Sequence, residues 1–452
     1  MKDKLDICEK AKLFALHAHK NQVRKNEPDK PMIMHLIDVA NIIKKYNYDD
    51  NIIAAGYLHD VIEDTKYKID DIKKEFGEDI ANLVLGASET DKTLSWEERK
   101  EEAIKKTKFL SLRNKIVICA DKISNLEDLL IKFEKEGKRD FSRFKRGEEK
   151  QKWYYTSIYE SIIYKENEET PIFKNYKDLL DKVFNDKEDL YLKNTIYNDN
   201  LDYYNKLKKL HAQKEELKKL NSICPLNKPY VIEFTGTPRT GKTTTINNLY
   251  DFFKKGGFSI KIIEEFTTSK NYKENFIPKY KEIGSVKFNL AITKEVTKQL
   301  KDNIKLNNQI IIIDRSINDR QIWNHRKYLK NEMDYDLYQN TKEKYKLISK
   351  KLIDYIVITY AEPIVSLKRD YNSSLALEKR TFLNMNNLNE YNKSLKDLKT
   401  LFNESVDDVT LLDTSNINMN EVSIIIASNI MEAMRKKYID CFKKTYKIVK
   451  SE

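Results

Sequence analysis

Glycine, proline and cysteine are all scarce in this 452-residue chain, with ten, eight and four residues. Lysine, asparagine, isoleucine and tyrosine fill the space they leave, the balance an AT-rich genome would encode. Cys8, Cys119, Cys224 and Cys441 are scattered and form no Cys-x-x-Cys pair. That excludes a zinc ribbon and a disulfide framework. No apolar run approaches the length needed to span a bilayer, and the charged N-terminus lacks an apolar signal core. A reduced, cytoplasmic protein without a membrane partner is expected. No internal repeats are visible.

What is present can build cores. Hydrophobic residues make up 40%, charged residues 34%, and the formal net charge is +12. The length predicts two or three domains. A basic balance suits nucleic acid or anionic substrates. The charges are dispersed rather than gathered in a stripe, so nucleic acid is not expected as a partner. Phosphate-bearing small molecules fit better, and a homo-oligomer is compatible with the sequence.

Apolar residues recur at helical spacing through residues 1–166, as in Val39, Ile42 and Ile43, and in Ile72, Phe76 and Ile80. No strand alternation stands out there, so an all-α domain is expected. Residues 167–226 read as a helical connector. Leu207, Leu210, Leu217 and Leu220 repeat along its charged end, which favours a solvated helix over a short coiled-coil contact. Pro225 and Pro229 then break the pattern. From there to residue 452 the period changes. Short apolar runs at Val231–Phe234, Ile260–Ile263, Ile310–Ile313, Ile356–Thr359 and Val409–Leu412 alternate with helical stretches. That pattern predicts an α/β domain with a five-stranded parallel sheet.

The most informative stretch is His59-Asp60-Val61-Ile62-Glu63-Asp64-Thr65. With His35 before it and Asp121 after it, two His and two Asp can bind a divalent metal. On a helix, Glu63 falls four residues after His59 and Asp64 four after Asp60, each beside a metal ligand on one face. A metal with carboxylates at its side is equipment for activating water.

These residues resemble the alarmone hydrolases: the hydrolase half of the RelA/SpoT enzymes and, more closely, the small stand-alone hydrolases. The resemblance runs over about residues 5–165. It is carried by Gln22-Val23-Arg24-Lys25, Pro31-Met32-Ile33-Met34-His35, Ala54 to Thr65, Phe76-Gly77, Thr90-Asp91-Lys92, Glu98-Arg99-Lys100 and Ala120-Asp121-Lys122-Ile123-Ser124-Asn125-Leu126. It implies an all-helical HD fold that binds Mn²⁺ and cleaves the 3′-pyrophosphate from (p)ppGpp. By the same resemblance His35, His59, Asp60 and Asp121 are the metal ligands, and Glu63 and Asp64 position and deprotonate water. The resemblance also implies Arg24, Lys25, Lys122 and Asn125 as the residues that bind the substrate. Arg99 and Lys100 are phosphate candidates or a solvated helix face. Met32 stands where the family usually has Tyr, which puts base or ribose selectivity in question. His17 and His19 lie outside the ligand set and read as surface or packing residues.

Gly236-Thr237-Pro238-Arg239-Thr240-Gly241-Lys242-Thr243 fits the phosphate-binding loop G-x-x-x-x-G-K-[ST], with a strand before it and a helix after. Two of the ten glycines fall where such a loop needs them. Gly236, Arg239, Gly241, Lys242, Thr243 and Thr244 are the nucleotide-binding candidates. Lys242 would reach the β- and γ-phosphates of ATP or GTP, and Thr243 would hold Mg²⁺.

Beyond the loop, residues 228–435 resemble, more loosely, the deoxynucleoside and thymidylate kinase group. Ile263-Glu264-Glu265, Ile313-Asp314-Arg315-Ser316 and Glu362-Pro363 carry that likeness. It implies Glu265 or Glu264 facing the phosphoryl acceptor, with Glu265 favoured, Arg315 in catalysis and Asp314 near Mg²⁺. A structural ion pair is the other reading of Asp314-Arg315. Arg369 and Arg380 would belong to a lid, and Trp323 and His325 to local packing. The whole chain then reads as an HD nucleotide hydrolase fused to a P-loop kinase-like domain. The alternative is a nucleotide-sensing switch in which triphosphate binding regulates the hydrolase.

Overall fold

The computed structural model describes residues 6–24, 27–89, 93–185, 201–373 and 383–447. The chain divides into two compact units, Met1–Pro225 with Arg435–Glu452, and Leu226–Met434.

The first unit is built from helices α1 (Ile7–Ala18), α2 (Ile33–Lys45), α3 (Asp50–Leu58), α4 (Val61–Asp64), α5 (Ile69–Phe76), α6 (Glu78–Ala87), α7 (Trp96–Phe109), α8 (Leu112–Glu136), α9 (Gly147–Ile163), α10 (Pro171–Phe184) and α11 (Leu201–Ile223). The 25-residue α8 is the hub, packing against α2, α3, α6, α9, α10 and α11. Its start is fixed by Ser111, whose Oγ accepts the Asn114 N–H at 3.3 Å. Its end is fixed by Gly137 in the left-handed conformation. Ser95 and Glu98 cap α7 reciprocally. The apolar residues picked out by helical spacing, Val39, Ile42, Ile43, Ile72, Phe76 and Ile80, are all buried.

Two features depart from the sequence expectation. Val23–Arg24 (β1) and Glu27–Pro31 (β2) pair as an antiparallel ribbon, Val23 opposite Pro31 and Arg24 opposite Glu27. The all-helical unit therefore carries one short ribbon. The stretch expected as a connector packs into the first unit: α10 and α11 both lie on α8, and Leu210, Leu217 and Leu220 are buried. The expected solvated helix buries an apolar face there. The last helix, Met419–Thr445, is assigned to the second unit up to Met434 and to the first from Arg435.

The second unit holds the sheet expected from its sequence. Strands β3 (Tyr230–Gly236), β4 (Ile260–Ile263), β5 (Ile310–Asp314), β6 (Tyr355–Tyr360) and β7 (Asp408–Asp413) are arranged β4-β5-β3-β6-β7. Every neighbouring pair is parallel. All seven residues of β3 are buried. Alternate side chains leave opposite faces of a strand, so the sheet is covered on both sides at its centre. The β-branched runs that marked the strands, such as Ile310 to Ile313, are buried in its core. No helix among the described residues is long and apolar enough to cross a membrane.

Candidate active site

Four elements of the first unit bring the first constellation together. His35 comes from α2, His59 and Asp60 from the junction of α3 and α4, and Asp121 from α8. The helix expected through the His-Asp pair breaks at that pair, and Asp64 N–H still bonds Asp60 O at 2.9 Å. His35 Nε2 lies 3.2 Å from Asp121 Oδ1 and 4.0 Å from Asp60 Oδ2. His59 Nε2 lies 3.3 Å from Asp60 Oδ2 and 3.7 Å from Asp121 Oδ1. Ligands about 2.1 Å from a shared ion sit about 3 Å apart when adjacent and about 4 Å when opposite. The spacing therefore fits one divalent cation.

The imidazoles are oriented for that role. His59 donates from Nδ1 to Gly56 O at 2.9 Å, which leaves Nε2 as the lone-pair nitrogen. Buried His59 Nε2 has no hydrogen-bond partner, an orphan that a metal would satisfy. His35 uses Nδ1 on Ser124 Oγ at 3.1 Å. Burial pushes His35 toward its neutral form, helped by Arg24. Burial also opposes charge on His59, but Asp60 and Asp121 outweigh it and raise its pKa. Burial disfavours charge on Asp60 too, yet the neighbouring imidazoles outweigh it and hold its pKa down at about 2. The donor set of two imidazoles and two carboxylates suits Mn²⁺ or a similar ion.

Above these ligands lies a cavity of about 950 Å³, whose lining includes Arg24, Met32, Glu63, Asp64, Lys122 and Asn125. Glu63 accepts the Glu89 N–H at 3.1 Å. Burial, then the nearby Asp60 charge, raises its pKa. Lys122 holds Asp121 at 2.7 Å, and Asn125 donates to the same carboxylate at 2.6 Å. Arg24 donates to Asn125 Oδ1 at 3.1 Å. Arg99 and Lys100, expected either at phosphate or on a solvated face, line the cavity and pair with Glu89. Lys25 and the Thr90-Asp91-Lys92 block lie outside the described residues. His17 is exposed, and His19 is buried with Nδ1 2.6 Å from Gln22 Oε1. Sequence reasoning missed Asp38, Glu89 and Asp128, which bond Ser124, Lys100 and Arg24, and Lys219, which pairs with Asp38 and Asp128 behind them. Only their meeting in space, not any local pattern, reveals them.

The second constellation lies at the C-terminal ends of β3, β4 and β5. β3 ends at Gly236, where an added Cβ would stand 1.9 Å from Thr359 O of β6. Only glycine lets the loop leave between these strands. Gly241 has φ +85° and leads into the helix Lys242–Lys255. Lys242 folds back over the loop, donating to Gly236 O at 3.2 Å and Thr237 O at 2.8 Å. Burial, then Arg315, lowers its pKa to about 7. Thr243 and Thr244 lie in the first turn of that helix, and Arg239 pairs with Asp370 at 2.6 Å.

Arg315 joins the expected kinase-like residues. Its Nε lies 3.3 Å from Glu265, and its other nitrogens reach Asp319 at 2.6 Å and Gly236 O at 3.1 Å. Glu265 is half-buried toward this group, whereas Glu264 is exposed. Asp314 Oδ1 is buried without a hydrogen-bond partner, and burial raises its pKa. Arg369, read as a lid residue, bonds Thr414 O and Thr414 Oγ1 and reaches Arg239 O of the loop at 3.5 Å. Arg380 lies outside the described residues. His325 packs locally as expected, 2.8 Å from Tyr338 OH. Glu233, a lone acid in an apolar strand, was missed. It accepts the N–H groups of Ser316, Asn318 and Asp319 at the start of the helix Ile317–Leu329.

Comparison with known proteins bears on the first unit. Residues 11–145 match the HD domain family. Guanosine-3′,5′-bis(diphosphate) 3′-pyrophosphohydrolase MESH1 of Drosophila melanogaster is 36% identical over 120 residues, 26% of this chain and 66% of that protein. The chain thus spans slightly less than two thirds of this relative's length. The solved structure of a metazoan ortholog of SpoT is 25% identical, covers 41% of this chain and 97% of its own, and has a TM-score of 0.34. The structure of deoxyadenosine kinase from M. mycoides is 20% identical, covers 45% of this chain and 99% of its own, and has a TM-score of 0.33. The N-terminal part of this chain, over residues 11–145, is an HD domain similar to the guanosine-3′,5′-bis(diphosphate) 3′-pyrophosphohydrolases.

Proposed function

We propose that the first unit hydrolyses the 3′-pyrophosphate of (p)ppGpp or a close relative in the presence of a divalent ion, Mn²⁺ by preference. The observation that carries this is the convergence of His35, His59, Asp60 and Asp121, with orphaned His59 Nε2, beneath a cavity wide enough for a nucleotide. A bound ion would supply Lewis acidity and charge neutralisation to the cleavage. The chain's own groups do the rest. Glu63 accepts the proton of the attacking water, with Asp64 beside it on α4. Arg24 and Lys122 offer positive charge to the phosphates. Met32 on the cavity wall offers a soft contact to base or ribose. The products would be the nucleotide with a free 3′-hydroxyl and intact pyrophosphate. Asp60→Ala tests the centre. It should abolish both Mn²⁺ binding and ppGpp turnover with folding retained, and full activity would remove the metal assignment.

For the second unit we infer triphosphate binding at the loop from Gly236 to Thr243, with Mg²⁺ held by Thr243 and Asp314. The pairing of Arg315 with Glu265 next to Gly236 favours phosphoryl transfer to a nucleoside or nucleotide, with Glu265 facing the acceptor. An acceptor that stimulates ADP formation in the wild type but not in Glu265→Gln would support this. Triphosphate binding without turnover, which alters ppGpp hydrolysis, would favour the switch instead.

A further inference from the structure

Lys219 sits on α11, outside the residues that match the HD family. Its side chain is only 13% exposed, and its ammonium lies 2.7 Å from Asp38 Oδ2 and 2.8 Å from Asp128 Oδ1. Glu127 Oε2 at 3.5 Å and Ser124 O at 3.3 Å complete its surroundings. Both close carboxylates lead to metal-ligand candidates.

Through Asp38 the path reaches His35. Ser124 Oγ is 2.5 Å from Asp38 Oδ2 and 3.1 Å from His35 Nδ1. A carboxylate only accepts, so the one Ser124 proton goes to Asp38. The Ser124 oxygen is then left to accept from His35 Nδ1–H. That places the His35 proton on Nδ1 and the lone pair on Nε2, the nitrogen facing Asp60 and Asp121. Through Asp128 the path reaches Asp121. Asp128 Oδ2 pairs with Arg24 at 3.2 Å, Arg24 donates to Asn125 Oδ1 at 3.1 Å, and Asn125 donates to Asp121 Oδ1 at 2.6 Å.

We propose that Lys219 is a positioning residue for the HD metal site: by compensating Asp38 and Asp128 it holds His35 in its metal-binding tautomer and fixes the Asp121 carboxylate. This rests on the metal reading given under the proposed function. Removing the ammonium would leave buried Asp38 and half-buried Asp128 without their shared cation. Asp38 would lose the ion pair that fixes it under Ser124, and the Ser124 oxygen that accepts from His35 Nδ1 would lose its anchor.

The test is Mn²⁺ affinity of the full-length protein, followed by electron paramagnetic resonance and calorimetry, with thermal unfolding as the folding control. Lys219→Met should weaken Mn²⁺ binding about ten- to a hundredfold, the range for lost partners of metal ligands. Lys219→Arg, which keeps the charge, should stay within about threefold of wild type. Lys135→Met is the comparison. Lys135 pairs with Glu216 of α11 at 2.7 Å and makes no ion pair with Asp38 or Asp128, so its loss should leave Mn²⁺ affinity unchanged. A folded Lys219→Met that binds Mn²⁺ within about threefold of wild type would overturn the proposal. So would Lys135→Met weakening affinity equally, or Lys219→Arg being no better than Lys219→Met. If Lys219→Met does not fold, Ser124→Ala decides. It cuts the path from Asp38 to His35, and a loss of about tenfold or more supports the proposal while unchanged affinity overturns it. A wild type that binds no Mn²⁺ would overturn the hydrolase reading itself, and this inference with it.

Discussion

Replacing Glu63 with Gln separates metal binding from proton transfer. The side chain keeps its size and can still accept the Glu89 N–H, now at 3.1 Å from Oε2, through its amide oxygen. Glu63 contributes no atom to the cluster of His35, His59 and Asp121. Mn²⁺ affinity should therefore change little. What disappears is a carboxylate whose pKa burial and the Asp60 charge have raised. Loss of a positioned general base typically slows a reaction by about 10²–10⁴, equivalent to about 3–5 kcal/mol in barrier. The lower figure is expected here, because Asp64 on the same short helix also lines the cavity. Single-turnover hydrolysis of ppGpp at saturating Mn²⁺ would isolate the chemical step, with metal affinity measured in parallel. A Glu63→Gln variant within about threefold of the wild-type rate would refute the assignment of Glu63 as the proton acceptor. A variant that has lost Mn²⁺ would show that Glu63 serves the metal instead.

Other expectations follow from the same geometry. Met32→Tyr places an aromatic ring on the cavity wall and should sharpen discrimination among nucleotides with the same 3′ group; unchanged specificity ratios would show that the position does not read the base. Lys242→Ala should weaken ATP or GTP binding by calorimetry while the far-ultraviolet circular dichroism of the helical unit persists. Leu220→Ala should destabilise the first unit by about 2–5 kcal/mol, since Leu220 is buried on α11; a loss below about 0.5 kcal/mol, the effect of a surface substitution, would contradict that packing. Asp128 is half-buried, and desolvation disfavours its charge, but Lys219, Arg24 and Lys30 outweigh that and depress its pKa. Its stabilising contribution is therefore present above the ordinary aspartate value of about 3.9 and drains away as pH falls toward the depressed folded value. Asp128→Asn should flatten the acid limb of stability against pH.

Much of this was legible in the sequence because the signals are local. The five strands announce themselves as short β-branched runs, and Ile260–Ile263 matches β4 residue for residue. The order of His35, His59-Asp60 and Asp121 marks a ligand set, and the structure brings these residues together. The ribbon of β1 and β2 was not legible. One partner has two residues, and the other carries Pro28, Pro31 and two acids without alternation. The packing of α11 was hidden for another reason: lysines surround its leucines on nearly every side, as they would on a solvated helix. Lys219 looks like any of them until Asp38 and Asp128 arrive from α2 and α8. The choice between Glu264 and Glu265 turns on which carboxylate faces Arg315, which two adjacent glutamates do not encode.

The central claim is that the HD centre removes an intact pyrophosphate from the 3′ position of a guanosine alarmone. The most direct measurement is chromatography of the products after incubating the full-length protein with ppGpp and Mn²⁺. GDP and pyrophosphate in equal amounts, abolished by EDTA and by Asp60→Ala, is the predicted result. Release of two separate phosphates, turnover that survives EDTA, or no turnover of ppGpp in the presence of bound Mn²⁺ would contradict it.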